Sequence, residues 1–159
     1  MTVASPRAAV SPSVKYLTFF LGLEEYGIAT LKVREIIGIM DVTRVPGTQT
    51  HVQGVINLRG RIIPVIDLRA KLGMHPNEPT HETCVVVVQR KETECGLVVD
   101  RVAEVCSLPA SEINPMLELG RGIPAEFFIG VSKAGGRVRL LLDIERVLHT
   151  QHSKKANDQ

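Results

Sequence analysis

GVINLRGRIIPVIDLRAKLG, residues 54–73, reads as a strand, a tight turn at Arg59-Gly60, a second strand, and a short helix opened by Asp67 and closed by Gly73. A related unit returns as GVSKAGGRVRLLLDIERVL, residues 130–148. A displacement of 76 positions lays Gly54, Val55, Gly60, Arg61, Asp67 and Leu72 on Gly130, Val131, Gly136, Arg137, Asp143 and Leu148. A hairpin-plus-helix that occurs twice belongs to a scaffold of two similar β units and not to a catalytic centre.

The duplication continues upstream. Glu25, Gly27, Val33 and Glu35 in the stretch 25–36 fall on Glu94, Gly96, Val102 and Glu104 in the stretch 94–105 at a displacement of 69. The two displacements differ by seven residues, which a longer connection in the second copy absorbs. Two copies are too few for a solenoid and suit two small barrels. Each unit alone would bury too little surface to be stable, so the two are expected to pack into one body. The expected organisation is a flexible tail over residues 1–14, a domain over 15–150 with subdomains at roughly 15–80 and 81–150, and a second tail over 151–159.

Composition narrows the function. Of the 159 residues, 44% are hydrophobic and 4% aromatic, with no Trp. The apolar residues are largely Val, Ile and Leu, which favour pleated, half-buried surfaces. Scarce aromatics argue against a stacking platform for single-stranded nucleic acid. The net charge of +2 is dispersed and forms no basic stripe. No apolar run approaches the length that spans a bilayer, and MTVASPRAAVSPSV lacks a secretory pattern, so a cytoplasmic protein without membrane insertion is expected. Cys84, Cys95 and Cys106 lie eleven residues apart, which is no zinc spacing, and read as small buried hydrophobes.

Phosphate-binding glycine loops and nucleophile elbows are missing. The five histidines have no sequence partners at ligand spacing, so no metal, cofactor or catalytic residue is expected. Asp67 and Asp143 read as helix caps. Pro64 cannot donate to a ladder and places its strand at an edge or a bulge. Arg59 carries a long cation where the other copy has Gly135. It is either a solvated turn residue or a contact to an acidic or amide-rich partner. Glu35 faces the same choice, and its counterpart Glu104 gives part of its role to structure. Val33 reads as core.

These residues resemble the CheW family of coupling proteins from bacterial chemotaxis arrays. The likeness rests on EYGIATLKVREI at 25–36, GVINLRG at 54–60, PVIDLR at 64–69 and GLVVDRV at 96–102, and it runs from about Lys15 to Leu148. It implies a mainly β fold of two packed five-stranded SH3-like barrels with short helices, and no catalysis. It further implies an adaptor joining the cytoplasmic tips of methyl-accepting chemotaxis receptors to the regulatory domain of a CheA-type histidine autokinase, recruited to arrays at the inner face of the membrane. Carried over by position, Glu35, Arg59 and Val105 fall at the receptor contact, and Val33 and Gly54 at the kinase contact. A coupling role in a non-chemotactic receptor–kinase pathway is the alternative on the same scaffold. Cys84 stands where a β-branched residue is typical of the family.

Overall fold

The computed structural model describes residues 12–48, 51–115 and 125–149. Eleven strands form two sheets: β1 (Ser13–Leu21), β2 (Glu24–Ala29), β3 (Val33–Gly38), β4 (Val52–Leu58), β5 (Arg61–Asp67), β6 (Cys84–Arg90), β7 (Thr93–Val99), β8 (Arg101–Pro109), β9 (Ile113–Asn114), β10 (Phe128–Ser132) and β11 (Arg139–Leu142). One sheet runs β3-β6-β7-β5-β4 and the other β8-β1-β2-β11-β10-β9. Two short helices, α1 (Leu68–Lys71) and α2 (residues 144–149), follow the equivalent strands β5 and β11. The result is mainly β, two packed SH3-like barrels with short helices; the sixth strand of the second barrel is the two-residue β9.

The repeat is visible in the register. Antiparallel hairpins β4–β5 and β10–β11 carry the duplicated turn, and each continues into a parallel pairing, Val65 opposite Gly96 in one barrel and Leu141 opposite Gly27 in the other. Residue for residue these are the same pair at displacements of 76 and 69. Gly54 and Gly130 occupy equivalent close approaches. A Cβ on Gly54, whose φ is +149°, would stand 2.0 Å from the Thr43 carbonyl oxygen, and one on Gly130 would stand 2.4 Å from that of Asn114. Thr43 is bridged to Val55 as Asn114 is to Val131.

The sheets do not divide the chain at residue 80. Strands β1 and β2 join the barrel of β8 to β11, while β6 and β7 join that of β3 to β5, so each barrel draws strands from both stretches, 15–80 and 81–150. The chain crosses between barrels twice, at the 3-10 turn Thr30–Lys32 and at Asp100. Those crossings lie inside the aligned stretches 25–36 and 94–105, so each copy of the repeat straddles both barrels. Residues 13 and 14, expected in the N-terminal tail, begin β1. The rest of that expected tail up to residue 11, and the expected tail 151–159, lie outside the described residues.

Pro64 also requires correction. It sits on β5, between β7 and β4, and not at an edge; the bulge of the β4–β5 pair lies on β4, between Val52 and Gly54, next to Val55, the partner of Pro64. The parallel ladder to β7 starts only at Val65, so the missing N–H falls just before that ladder begins.

The barrels are joined by one apolar layer. Leu17, Phe19 and Leu21 of β1 and Tyr26 and Ile28 of β2 meet Val86 and Val88 of β6 and Leu97 of β7, with Leu68 and Leu72 of α1 and Ile144, Val147 and Leu148 of α2 in the same cluster. Burying such side chains contributes roughly 1.5–3 kcal/mol each before conformational entropy is subtracted. Phe19 and Tyr26 stack with ring centroids 6.1 Å apart. Asp67 caps α1 by accepting from the Arg69 N–H at 3.1 Å, and Asp143 caps α2 by accepting from the Arg146 N–H at 3.3 Å.

Polar clasps hold the two crossings. At one, Arg69 presents its fork to Asp100, Nε to Oδ1 at 3.1 Å and Nη2 to Oδ2 at 2.8 Å, and the Gly22 N–H donates to the same Oδ2 at 2.7 Å. The hydrogen bond from Arg69, opposed by burial and aided by the Gly22 N–H, holds the Asp100 pKa below its ordinary value. At the other, Glu145 of α2 accepts from Lys32 Nζ at 2.8 Å and lies 3.4 Å from Arg90 Nε. The Lys32 bond lowers the Glu145 pKa. No helix among the described residues is long and apolar enough to cross a membrane.

Candidate interaction site

The Arg59-Gly60 turn closes β4 onto β5 with both residues at positive φ, +52° and +87°. That is the two-residue hairpin geometry that suits Asn-Gly or Gly-Gly, because a side chain at the first position is strained there. Asn57 supports the turn, its Oδ1 accepting from the Gly60 N–H at 2.8 Å. In the other hairpin the matching positions are Gly135 at +69° and Gly136 at +77°. Arg59 therefore holds a strained conformation that its repeat counterpart relieves.

Its guanidinium Nη2 donates to Glu35 Oε2 on β3. This is one end of a ladder of alternating charge. Arg61 Nη2 lies 4.0 Å from the same Glu35 oxygen, Arg61 Nε donates to Glu94 Oε1 at 3.0 Å, and Arg34 Nε lies 3.7 Å from Glu94 Oε2. Both ends of the ladder are open and its middle is covered: Arg34 and Arg59 are 59% and 62% exposed, and Glu94 is 17% exposed. The ladder lines a groove of about 980 Å³, walled also by Ile62, Arg90 and Leu148. Exposed pairs of this kind add little to stability, roughly 0–1 kcal/mol each. Such a groove can recognise charged and amide groups on a partner, and Ile62, 64% exposed, adds an apolar contact beside it. Ile62 lies beside the Arg59-Gly60 turn, paired with the exposed Asn57.

Equivalent carboxylates build a different arrangement in the second barrel. Glu25, a buried residue on β2, takes Arg137 Nη2 at 2.7 Å and Arg139 Nε at 3.3 Å, while Glu104 Oε2 takes Arg137 Nη1 at 3.2 Å and Arg139 Nη2 at 3.1 Å. Burial disfavours the Glu25 charge, but hydrogen bonds from Thr18 and Arg137 and the charges of Arg139 and Arg137 outweigh it, so its pKa is lowered.

Of the five site residues expected from the sequence, Glu35 and Arg59 are brought into direct contact. Val105 stands 56% exposed on β8, in the other barrel, opposite Leu17. Val33 is half-buried at the start of β3 and packs on the inter-barrel layer, as its repeat counterpart Val102 does. Gly54 is buried and lets the Thr43–Arg44 backbone approach β4. The sequence reading missed Arg34, Arg61 and Glu94 in the ladder. Arg61 and Glu94 were both in the aligned repeat, and that was the signal to test them as partners.

Burial raises the pKa of all three thiols, that of Cys95 to about 12, which leaves them protonated and poor nucleophiles. Among the described residues no group of three or more His, Cys, Asp or Glu is placed to hold a metal ion.

Two barrels fused through a shared apolar layer, with a charged groove at the mouth of one, define a module built for contacts between macromolecules. The family model described as the CheW-like domain matches residues 15–152, and the chain belongs to that family. It is 38% identical over 151 residues to the chemotaxis protein CheW of Klebsiella aerogenes, covering 95% of this chain and 91% of the other. It is 32% identical over 152 residues to that of Bacillus subtilis, covering 94% and 96%. Among solved structures, the scaffolding protein TtCheW from Thermoanaerobacter tengcongensis superposes with a TM-score of 0.77 at 30% identity, covering 83% of this chain and 90% of that one.

Proposed function

We propose that this protein is a non-catalytic adaptor of bacterial chemotaxis that couples methyl-accepting receptors to a CheA-type histidine autokinase. In this reading it acts in the cytoplasm, at receptor arrays on the inner face of the membrane. Glu35 and Arg59, with Val105 on the second barrel, meet the receptor's helical tip. Val33 and Gly54 serve the regulatory domain of the kinase, Gly54 by seating the Thr43–Arg44 segment against β4.

The observation that carries this reading is Arg59 itself. A long cation is kept in a left-handed turn, at a cost of roughly 1–2 kcal/mol, where the other copy of the repeat uses glycine. Strain retained at an exposed side chain points to a contact that the fold alone does not require. The relatives named as chemotaxis proteins, and the structural neighbour described as a scaffolding protein, support the pathway. Two weak contacts suffice in an array, because linked sites raise effective concentration.

The test is a titration of the protein against the kinase regulatory domain and, separately, against a receptor-tip hairpin, with Val33→Asp and Arg59→Glu as comparisons and circular dichroism to establish folding. The expected result is loss of kinase binding in Val33→Asp and loss of receptor binding in Arg59→Glu. A folded wild type that binds neither partner contradicts the adaptor role.

A further inference from the structure

We propose that Glu94 and Arg61 are positioning residues for the Arg59 contact. They form an inner ion pair that fixes Glu35, and through Glu35 the place of the exposed Arg59 guanidinium at the rim of the groove. The inference rests on the reading of Arg59 as a partner contact.

The geometry carries it in three steps. Glu35 Oε2 is shared, bonded to Arg59 and 4.0 Å from Arg61. Arg61 is itself held by Glu94, the least exposed member of the ladder, through a 3.0 Å hydrogen bond. Arg34 lies 3.7 Å from the second Glu94 oxygen, so that both oxygens of the carboxylate face cations. The ladder therefore has a covered centre at Glu94 and two exposed ends, Arg34 and the strained Arg59.

The repeat shows what the ladder does without an outer end. Glu25, Glu104 and Arg137 are the counterparts of Glu94, Glu35 and Arg61. The counterparts of Arg34 and Arg59 are Ala103 and Gly135, so both outer cations are missing. Arg139 replaces Ile63 and bonds both carboxylates from inside, its side chain only 7% exposed. Two cations against two carboxylates close that network on itself. In the five-stranded barrel Arg34, Arg59 and Arg61 face Glu35 and Glu94, leaving one positive charge in excess, and Arg90 lines the same groove. The chemistry this suits is a helical partner that brings a carboxylate or a row of amide oxygens to Arg59, since a guanidinium fork held in one orientation loses less entropy on binding.

The experiment measures binding of wild type, Arg59→Gln, Glu94→Gln and the double variant to a helical hairpin carrying the tip sequence of a methyl-accepting receptor from the same cell. The NMR signal of Arg59 Nε is followed in the unbound proteins, and thermal unfolding checks that each is folded. Glu94→Gln is expected to weaken binding by about five- to tenfold and to shift and sharpen the Arg59 Nε signal, although Glu94 is the least exposed member of the ladder. The double variant should bind no worse than Arg59→Gln alone. Exchanging the pair, Arg61→Glu with Glu94→Arg, should recover binding relative to Arg61→Glu. Unchanged affinity in Glu94→Gln, or additive losses in the double variant, overturns the positioning role. Unchanged affinity in Arg59→Gln overturns the contact itself.

Discussion

The two barrels share one topology and one register but fill their interiors differently. The five-stranded barrel packs Ile56, Leu58, Ile63, Val65, Val85 and Val87 into a wholly apolar centre. The matching positions of the six-stranded barrel hold Ser132, Ala134, Arg139, Leu141, Tyr16 and Thr18. Every buried polar or charged residue identified in the structure, Thr18, Glu25, Ser132 and Arg139, belongs to that second barrel. The turns show the reverse pattern. Among the described residues, the two non-glycine residues at positive φ, Arg59 and Lys91, lie in the five-stranded barrel, and their counterparts Gly135 and Gly22 lie in the other. The six-stranded barrel thus turned its polarity inward, where it is satisfied within the fold. The other kept an apolar core and carries cations at its turns, where they are open to a partner. An apolar core tolerates strain at the rim more easily than a buried ion network does, because removing one member of such a network leaves a charge unpaired in low dielectric.

The comparison breaks first at its buried charges. Glu25→Leu leaves the buried Arg139 to share Glu104 with Arg137 and should destabilise the protein by about 3 kcal/mol, whereas Glu94→Leu, at the equivalent position of the other barrel, should cost less than about 1 kcal/mol. Urea unfolding of the two variants measures both, and equal losses would erase the distinction between a buried network and a surface ladder.

Next are the two close-approach glycines. Gly54→Ala meets the Thr43 carbonyl and a disfavoured backbone region together and should cost about 3 kcal/mol; Gly130→Ala meets the Asn114 carbonyl and the Ile113 side chain without the disfavoured backbone region and should cost about 2 kcal/mol. Thermal unfolding that ranks Gly130→Ala as the more harmful would reverse the inferred order.

A smaller effect appears with pH. Glu25 and Asp100 have lowered pKa values in the folded state, so the unfolded chain takes up protons first as the medium is acidified. Their contribution is fully present above the unfolded carboxylate range, about pH 4, and is lost as pH falls through their lower folded values. Unfolding free energy measured from pH 7 to pH 3 should therefore stay level and then drop below about pH 4. Asp100→Asn should shrink that drop, and an unchanged drop in this variant would remove the clasp from the account.

The smallest change expected in stability is that of Arg59→Gly. Relief of the left-handed turn, roughly 1 kcal/mol, exceeds the value of one exposed ion pair, so the variant should be as stable as wild type or slightly more so while losing receptor binding. A clear loss of stability would assign Arg59 to the fold instead of to a partner.

Much of this was legible in the sequence. The duplicated hairpin, its turn at Arg59-Gly60 and the caps at Asp67 and Asp143 all follow from local chemistry, and local chemistry is where a sequence speaks most directly. Strand partnership was not legible. β1 and β2 cross to the other barrel through pairings such as Thr18 with Glu104, separated by 86 residues, and no local pattern encodes them. The position of Pro64 misled for the same reason, since the parallel ladder beside it depends on β7. The Glu25–Arg139 pair was hidden because Arg139 replaces Ile63 in the repeat, so its alternation reads as an exposed arginine on an ordinary strand. The partner of Glu35 was within reach, because Glu35 and Arg59 had each been singled out and only their contact was missing.

An adaptor of the proposed kind holds two partners on one chain at once. The direct measurement immobilises a receptor-tip hairpin, adds this protein, and asks whether the kinase regulatory domain is then retained. The account predicts retention with wild type, none without it, and none with Arg59→Glu despite an intact fold. Retention that is unaffected by Arg59→Glu, or a folded wild type that retains no kinase domain, would contradict it.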